Sequence, residues 1–239
     1  MSDRCLRRTL RRMTPQNQID MFEPDRPDRT RFRCVLADPP WLERGGGKIK
    51  RGADRHYPLA DVQTIAAAMV SAPEWCLADD AHCWIWVTDN FLKDGLWLIE
   101  RLGFEYKRTF PWVKVQAERP SALDPETGHG CEGLVEREDG TPAVKIGIGQ
   151  YARGAHELLL FGVRGKGQSP EVWTGDRGVP SVLFAPHERG EDGKVIHSRK
   201  PRASYDLIER VSKGPRLECF ARIARPGWSV WGNEAPSGG

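Results

Sequence analysis

Apolar positions along this chain fall into two kinds of pattern, short continuous runs and stripes at helical spacing. Arg33–Ala37, with its core Cys34-Val35-Leu36-Ala37, reads as a buried parallel strand. Cys83–Val87, Glu157–Val163 and Val182–Ala185 read the same way. Tyr106–Val115 is a further strand, and Pro111 inside it argues for a bulge or an edge position. Arg216–Ala221 and Trp228–Trp231 close the series. Helical stripes lie between these runs. Asp61 is placed to cap a helix carrying Val62, Ile65, Ala66, Met69 and Val70, with Pro73 just beyond it. Asn90 is placed to cap the next, with Leu92, Leu96, Ile99 and Leu102 inward and Gly103 as its stop. Pro201 suits the first turn of a helix running to about Ser212, with Leu207, Ile208 and Val211 apolar and Gly214-Pro215 ending it. About seven strands interleaved with at least three helices predict a doubly wound, mostly parallel α/β sandwich.

The segments without such a pattern delimit the domain. Residues 1–31 are polar and proline-punctuated, with arginines at 4, 7, 8, 11 and 12. They read as a basic N-terminal arm, since a signal peptide needs an apolar core. The domain is expected over 32–235, with 236–239 as a tail. Residues 42–58 hold Gly45-Gly46-Gly47, Lys48, Lys50, Arg51 and Arg55, a basic glycine-rich loop that lacks the phosphate-cradling GxxxxGK[ST] pattern. Residues 116–150 show no periodicity, and so long a loop in a compact domain is expected to be functional or unstructured.

Composition adds little beyond exclusions. The net charge of +3 is small and unevenly placed. No run of about 18 apolar residues exists, so a soluble, cytoplasmic protein is expected. The six cysteines contain no CxxC pair and most sit in strand-like contexts, which points to free buried thiols. The histidines show no metal-ligand spacing, so no metal is expected.

The chemistry concentrates after strand ends. Asp38-Pro39-Pro40-Trp41 follows the first strand directly. In open α/β sheets that rim is where ligands bind. Two prolines remove two backbone donors and stiffen the turn. What remains is a carboxylate, free carbonyls and a flat aromatic face, the groups needed to hold a planar base and accept hydrogen bonds from its amino group. The plain alternative is a proline-terminated strand with a capping acid. Further clusters are Trp112-Val113-Lys114 with Gly149, Tyr151, Arg153, His156 and Glu157; His197-Ser198-Arg199-Lys200-Pro201; and Glu218-Cys219-Phe220-Ala221-Arg222 followed by Gly227-Trp228 and Trp231-Gly232-Asn233-Glu234.

In this order, DPPW, ARGAHELLLFG, HSRKP, ECFAR and GWSVWGNE resemble the MT-A-seventy family of adenine-N6 methyltransferases, over about residues 33–234. The resemblance implies a Rossmann-like methyltransferase fold with permuted motif order, S-adenosylmethionine as methyl donor, and methylation of an adenine amine. Consistent with the permutation, no GxGxxG follows an early strand; Gly147-Ile148-Gly149 is too short. Asp38, Pro39, Pro40 and Trp41 are then the expected catalytic residues. Hydrogen bonds from the amine to the Asp38 carboxylate and the Pro39 carbonyl would orient its lone pair. Asp20, Met21, Asp38, Lys200, Glu218, Arg222, Asn233 and Glu234 are the expected cofactor contacts, with Lys200 suited to the methionine carboxylate. Trp41, Tyr57, Lys48, Lys50, Arg51, Lys114 and Glu157 are the expected substrate contacts. Structural roles stay open for Tyr57, Glu157, Arg222 and Asn233, and Trp228 and Trp231 are expected in the core.

The chain lacks the zinc-finger modules and long helical extensions of the eukaryotic messenger-RNA enzymes, and so resembles bacterial or phage DNA-modifying members. DNA adenine is the expected substrate, with RNA adenosine as the alternative and a homodimer as the expected assembly. A non-catalytic nucleic-acid-binding subunit and a small-molecule amino-methyltransferase are the rivals. Intact Asp38 and Lys200 argue against the first, and the basic segment 43–55 against the second.

Overall fold

A computed structural model describes residues 30–42, 60–147, 151–196 and 198–232. The arm, most of the basic loop 42–58 and the tail therefore lie outside the described residues. The elements in chain order are β1 (Phe32–Ala37), α1 (Val62–Ser71), β2 (Leu77–Val87), a 3-10 turn (Asp89–Phe91), α2 (Leu92–Arg101), β3 (Glu105–Lys114), β4 (Ala117–Pro120), β5 (Cys131–Leu134), β6 (His156–Arg164), β7 (Leu183–Ala185), α3 (Arg202–Val211), β8 (Arg216–Cys219) and β9 (Trp228–Trp231).

The strands expected from the apolar runs form one seven-stranded sheet in the order β7-β3-β6-β2-β1-β8-β9. All its pairings are parallel except those of β6, which runs antiparallel to both β2 and β3. Strand alternation splits the core into two layers. Val35, Ala37, Cys83, Ile85, Val87 and Leu160 face α1 and α2, where Ile65, Ala66, Met69, Leu98 and Ile99 are buried. Cys34, Leu36, Trp84, Trp86, Phe110, Trp112 and Leu159 face α3, where Ala203, Leu207 and Ile208 are buried. Helices on both faces make the sandwich doubly wound. Burial pushes the Cys34 thiol up to about 12 and raises Cys83 and Cys219, so these thiols are inert core groups.

The structure corrects several local expectations. Pro111 lies inside β3, between β6 and β7, and the register shift falls earlier, between Tyr106 and Arg108. The proline is tolerated because β7 pairs only from Trp112 onward. β2 begins at Leu77, well before Cys83; Asp79 is exposed and Asp80 accepts the Lys166 amide, so a polar strand start hid the element. Val70 is 40 % exposed, turned off the buried stripe of α1. Asn90 sits within the 3-10 turn and does not cap α2, whose first turn follows Phe91. β8 ends at Cys219 because Phe220 turns away with φ 62°. Pro201 is the residue before α3 and not its first turn. Residues 116–150 contain the antiparallel hairpin β4–β5, tied by the Arg119–Glu132 ion pair. Its strands show charged and half-buried positions, with no apolar alternation to detect.

Candidate active site

β1 is the switch point of the sheet. From it the chain passes through α1 on one face to β2 on one side, and later returns through α3 on the other face to β8 on the other side. Crevices form beyond the carboxyl ends of strands at such a point. Asp38 is the first residue past β1.

The turn after it is heavily fastened. The Trp41 amide donates to Pro39 O at 2.9 Å, and the Ala60 amide donates to Pro40 O at 3.0 Å. The expectation of free carbonyls is thereby corrected: both already accept one bond, leaving Pro39 O only its second lone pair. The reason is that the chain doubles back, with Leu42 N donating to Ala60 O at 3.1 Å. Leu42 and Ala60 thus stand together at the rim beside Asp38. Trp41 is 9 % exposed, its indole N–H donates to Trp86 O at 3.0 Å, and its ring stacks on Phe91 with centroids 5.6 Å apart. The ring anchors the turn from within, with one face already covered.

Four charged side chains form a continuous ladder at this rim. Lys200 Nζ lies 3.0 Å from Asp38 Oδ1 and 3.1 Å from Glu157 Oε2. Glu157 Oε1 takes Lys114 Nζ at 2.7 Å. The Lys200 and Glu157 side chains are 11 % and 15 % exposed, whereas Asp38 is 27 % exposed. Tryptophan rings lie under both cations, Trp86 at 5.5 Å from Lys200 and Trp112 at 5.1 Å from Lys114. Burial works against ionising Glu157, yet Lys200 and Lys114 overcome it and bring its carboxyl down to about 2. For Asp38 burial wins over Lys200, with Glu157 adding repulsion, and its carboxyl rises above the usual range. Burial opposes the Lys200 charge, but its two carboxylates raise its pKa above the ordinary value. The ladder therefore holds a firmly ionised Glu157 and a more readily protonated Asp38.

Backbone strain marks the same rim. Among the described residues, only Ser198 (φ 61°) and Phe220 (φ 62°) are non-glycine residues with positive φ. The first lies two residues before Lys200 and the second between Glu218 and Arg222. Such conformations cost on the order of 1–3 kcal/mol and cluster at ligand sites. Gly232 packs beneath this turn; a Cβ there would sit 2.6 Å from Ala221 O and 2.7 Å from Ala221 N. Arg222 is close enough to Asp38 to favour its charge.

Glu218 is 8 % exposed and faces α3, where Tyr205 donates to its Oε1 at 2.7 Å. Its Oε2 is buried with no hydrogen-bond partner among the described residues, and burial pushes its carboxyl up. Trp228 is in the core and Trp231 is partly buried against it.

The expected catalytic, cofactor and substrate sets thus merge: Asp38, Lys200, Glu157 and Lys114 touch one another. Asp20, Met21, Lys48, Lys50, Arg51, Tyr57, His197, Asn233 and Glu234 lie outside the described residues. Sequence reasoning missed Trp86, which floors Lys200 and holds Trp41. Its signal was its place at the carboxyl end of the β2 run, one strand over from Asp38.

Comparison with known proteins bears on this site. Residues 134–234, which hold Glu157, Lys200, Glu218 and Arg222, match the MT-A70 family model. The match covers 134–234 of the chain's 239 residues. It is similar to the Type II methyltransferase M.MunI of Mycoplasma sp., 26 % identical over 244 residues, covering 93 % of this chain and 85 % of that protein. It is also similar to the human N(6)-adenine-specific methyltransferase METTL4, 26 % identical over 91 % of this chain and 40 % of that protein. The catalytic subunit METTL3 of human N(6)-adenosine-methyltransferase is 24 % identical over 85 % of this chain and 28 % of that subunit. The chain thus spans most of M.MunI and less than half of either human relative.

MT-A70 methyltransferases depend on S-adenosylmethionine. The residues present fit that group. A half-open Asp38 carboxylate, the Lys200 ammonium and the orphaned Glu218 Oε2 stand at one switch-point rim, matching a ligand with an ammonium, a carboxylate and ribose hydroxyls. No helix among the described residues is long and apolar enough to cross a membrane. No group of metal-ligating side chains occurs among them.

Proposed function

We propose that this chain transfers a methyl group from S-adenosylmethionine to the N6 amine of adenine in DNA. The observation that carries the reading is the placement of Asp38 beyond the switch strand, its carboxylate 3.0 Å from Lys200 Nζ and 27 % exposed. The preference for DNA is supported by the match to a Type II methyltransferase along 93 % of this chain and 85 % of that protein.

The exocyclic amine of adenine is a poor nucleophile because its lone pair is delocalised into the ring. Asp38 accepts a hydrogen bond from one amine N–H, and the second lone pair of Pro39 O is available for the other. This favours a pyramidal nitrogen with its lone pair aimed away from the acceptors. S-adenosylmethionine, when bound, would supply a methyl on an electrophilic sulfonium, whose S–C bond would break to leave the neutral thioether S-adenosylhomocysteine. As the new N–C bond forms, the nitrogen gains positive charge and one N–H proton becomes acidic. That proton leaves through Asp38 to solvent. Lys200 fixes the Asp38 rotamer, and Glu157 fixes Lys200. Positioning and preorganised charge supply the rate enhancement, and a strong base is unnecessary. Lys200, Glu218, Arg222 and, by resemblance, Asp20, Met21, Asn233 and Glu234 hold the cofactor. Lys48, Lys50, Arg51 and Tyr57 lie in sequence between Leu42 and Ala60, two residues that meet at the rim, and their chemistry suits contact with the phosphates around a flipped or single-stranded base.

Labelled methyl transfer to unmethylated single-stranded DNA, duplex DNA and RNA, followed by digestion to nucleosides, tests the reading. N6-methyldeoxyadenosine is the expected product. Label appearing only in RNA-derived N6-methyladenosine overturns the DNA assignment, and no transfer to any polymer leaves the non-catalytic subunit reading ahead. We also propose a homodimer, on the family resemblance. Light scattering that shows only monomer at micromolar concentration refutes it.

A further inference from the structure

The opposite end of the strands from Asp38 carries a second cleft that methyl transfer does not use. It lies where β3 and β6 meet the loop 165–179 and measures about 660 Å³, within the usual range of about 300–1,000 Å³ for small-ligand sites. Phe110, Phe161, Val179 and Val211 line it. His82 also borders it but offers a ligand no polar atom. Its Nε2 lies 2.7 Å from Gly167 O and its Nδ1 2.8 Å from Ser212 Oγ. A carbonyl only accepts, so Nε2 carries the proton and Nδ1 accepts from Ser212, whose oxygen in turn accepts from Trp84 Nε1 at 3.0 Å. With these groups satisfied by the protein, what the floor offers a ligand is the half-buried Phe161 ring and the edge of Phe110, which is 7 % exposed.

The rim differs in kind. Lys107 is paired with Glu105 at 2.6 Å, and Asp176 is taken by Arg210 at 2.7 Å. Arg108 and Arg177 are exposed and pair with no carboxylate among the described residues. The Arg177 guanidinium lies 4.8 Å from the Trp173 ring centroid, a cation–π contact at the lip. The cleft thus combines a stacking floor with two uncompensated, bidentate-capable cations. That combination suits a ligand with a planar ring at one end and an anion of tetrahedral oxygens at the other.

We propose that this cleft binds a nucleotide, its base against Phe110 and Phe161 and its phosphate on Arg108 and Arg177. The nucleotide is either free or part of a single strand, and the two sources are separable. Thymidine 5′-monophosphate and an eight-residue oligothymidylate serve as probes, because thymine has no amino group to methylate. The outcome is therefore independent of the proposed reaction. Calorimetric titration of the full chain, with saturating S-adenosylhomocysteine, is run for the wild type and for the R108A/R177A double variant at several salt concentrations. Binding is expected in the wild type and at least about tenfold weaker in the variant, whose salt slope shrinks by about 0.7 for each phosphate no longer neutralised. Equal affinity for the two probes identifies a free-nucleotide site; binding of the oligomer alone identifies a strand. S-adenosylhomocysteine affinity and thermal midpoint should stay unchanged in the variant, since both arginines are exposed and remote from Asp38. Absence of binding by both probes, or equal affinities in wild type and variant, overturns the proposal.

Discussion

Asp38 shares its one ammonium partner. Lys200 sits between it and Glu157, at 3.0 Å and 3.1 Å, so the geometry of the acceptor depends on a residue that need not touch substrate. Asp38→Ala should lower single-turnover methyl transfer at least about 100-fold, the scale of losing one preorganised group at a reacting centre. Its fold should survive, because Lys200 keeps Glu157. Near-normal turnover in the folded variant would remove Asp38 from its role. Glu157 makes a pH-dependent contribution of definite sign. Its folded carboxyl lies at about 2, below the ordinary 4.5, so it stabilises the protein above the ordinary value and that stabilisation fades as pH falls from about 4.5 toward 2. Glu157→Gln should flatten stability across that window. At neutral pH it should cost about 3 kcal/mol, because two largely buried ammoniums lose a shared carboxylate. Denaturant melts from pH 2 to 7 check this, and an unchanged acid limb would show that the ladder does not stabilise the fold.

At the level of elements, α2 reaches the sheet through Gly95. A Cβ there would stand 2.5 Å from Val87 Cγ1 and 2.9 Å from Leu160 Cδ1. Helix propensity alone would make Gly95→Ala stabilising by about 1 kcal/mol. Overpacking a core costs about 1–3 kcal/mol, and Val87 is held inside a paired strand, so packing should win and the variant should be destabilised. A urea midpoint equal to or above wild type would show that the helix shifts freely. The elements that sequence made legible are those whose pattern reports burial. β1, β3, β6, β7 and β9 lie where their apolar runs put them, and the Asp61 carboxylate accepts from Thr64 N at 2.9 Å as the spacing implied for a cap. Illegible elements were those whose neighbours do the work. The β4–β5 hairpin carries its charge outward on both strands, and the polar start of β2 falls where its pairing with β1 jumps from Leu77 to His82. Pro111 pointed to a bulge or an edge: β3 does carry a register shift, though between Tyr106 and Arg108, and β7 pairs only from Trp112, which no local pattern records.

Across the whole molecule, the site was legible as positions but not as contacts. DPPW could be placed after a strand from the sequence alone. That Lys114, Glu157, Lys200 and Asp38 form one ladder could not, because they come from β3, β6, the approach to α3 and the end of β1, joined only by the sheet order. The same dispersal ties ligand to stability. On the proposed reading, a cofactor held by residues after β1, before α3 and after β8 would fasten the switch point that joins both halves of the sheet. Anything that binds the native state alone stabilises it by mass action, about 2.7 kcal/mol at 100 times Kd. For a domain of this length each kcal/mol raises Tm by about 2–4 °C. S-adenosylhomocysteine without nucleic acid should therefore raise Tm by about 5–10 °C at that ratio. At the same concentration, Lys200→Ala and Arg222→Ala should each give a smaller rise, measured from the variant's own ligand-free midpoint so that lower stability is not mistaken for lower affinity. An unchanged rise in both variants would move the cofactor away from this rim. No rise in the wild type would count against methyl transfer by this chain alone.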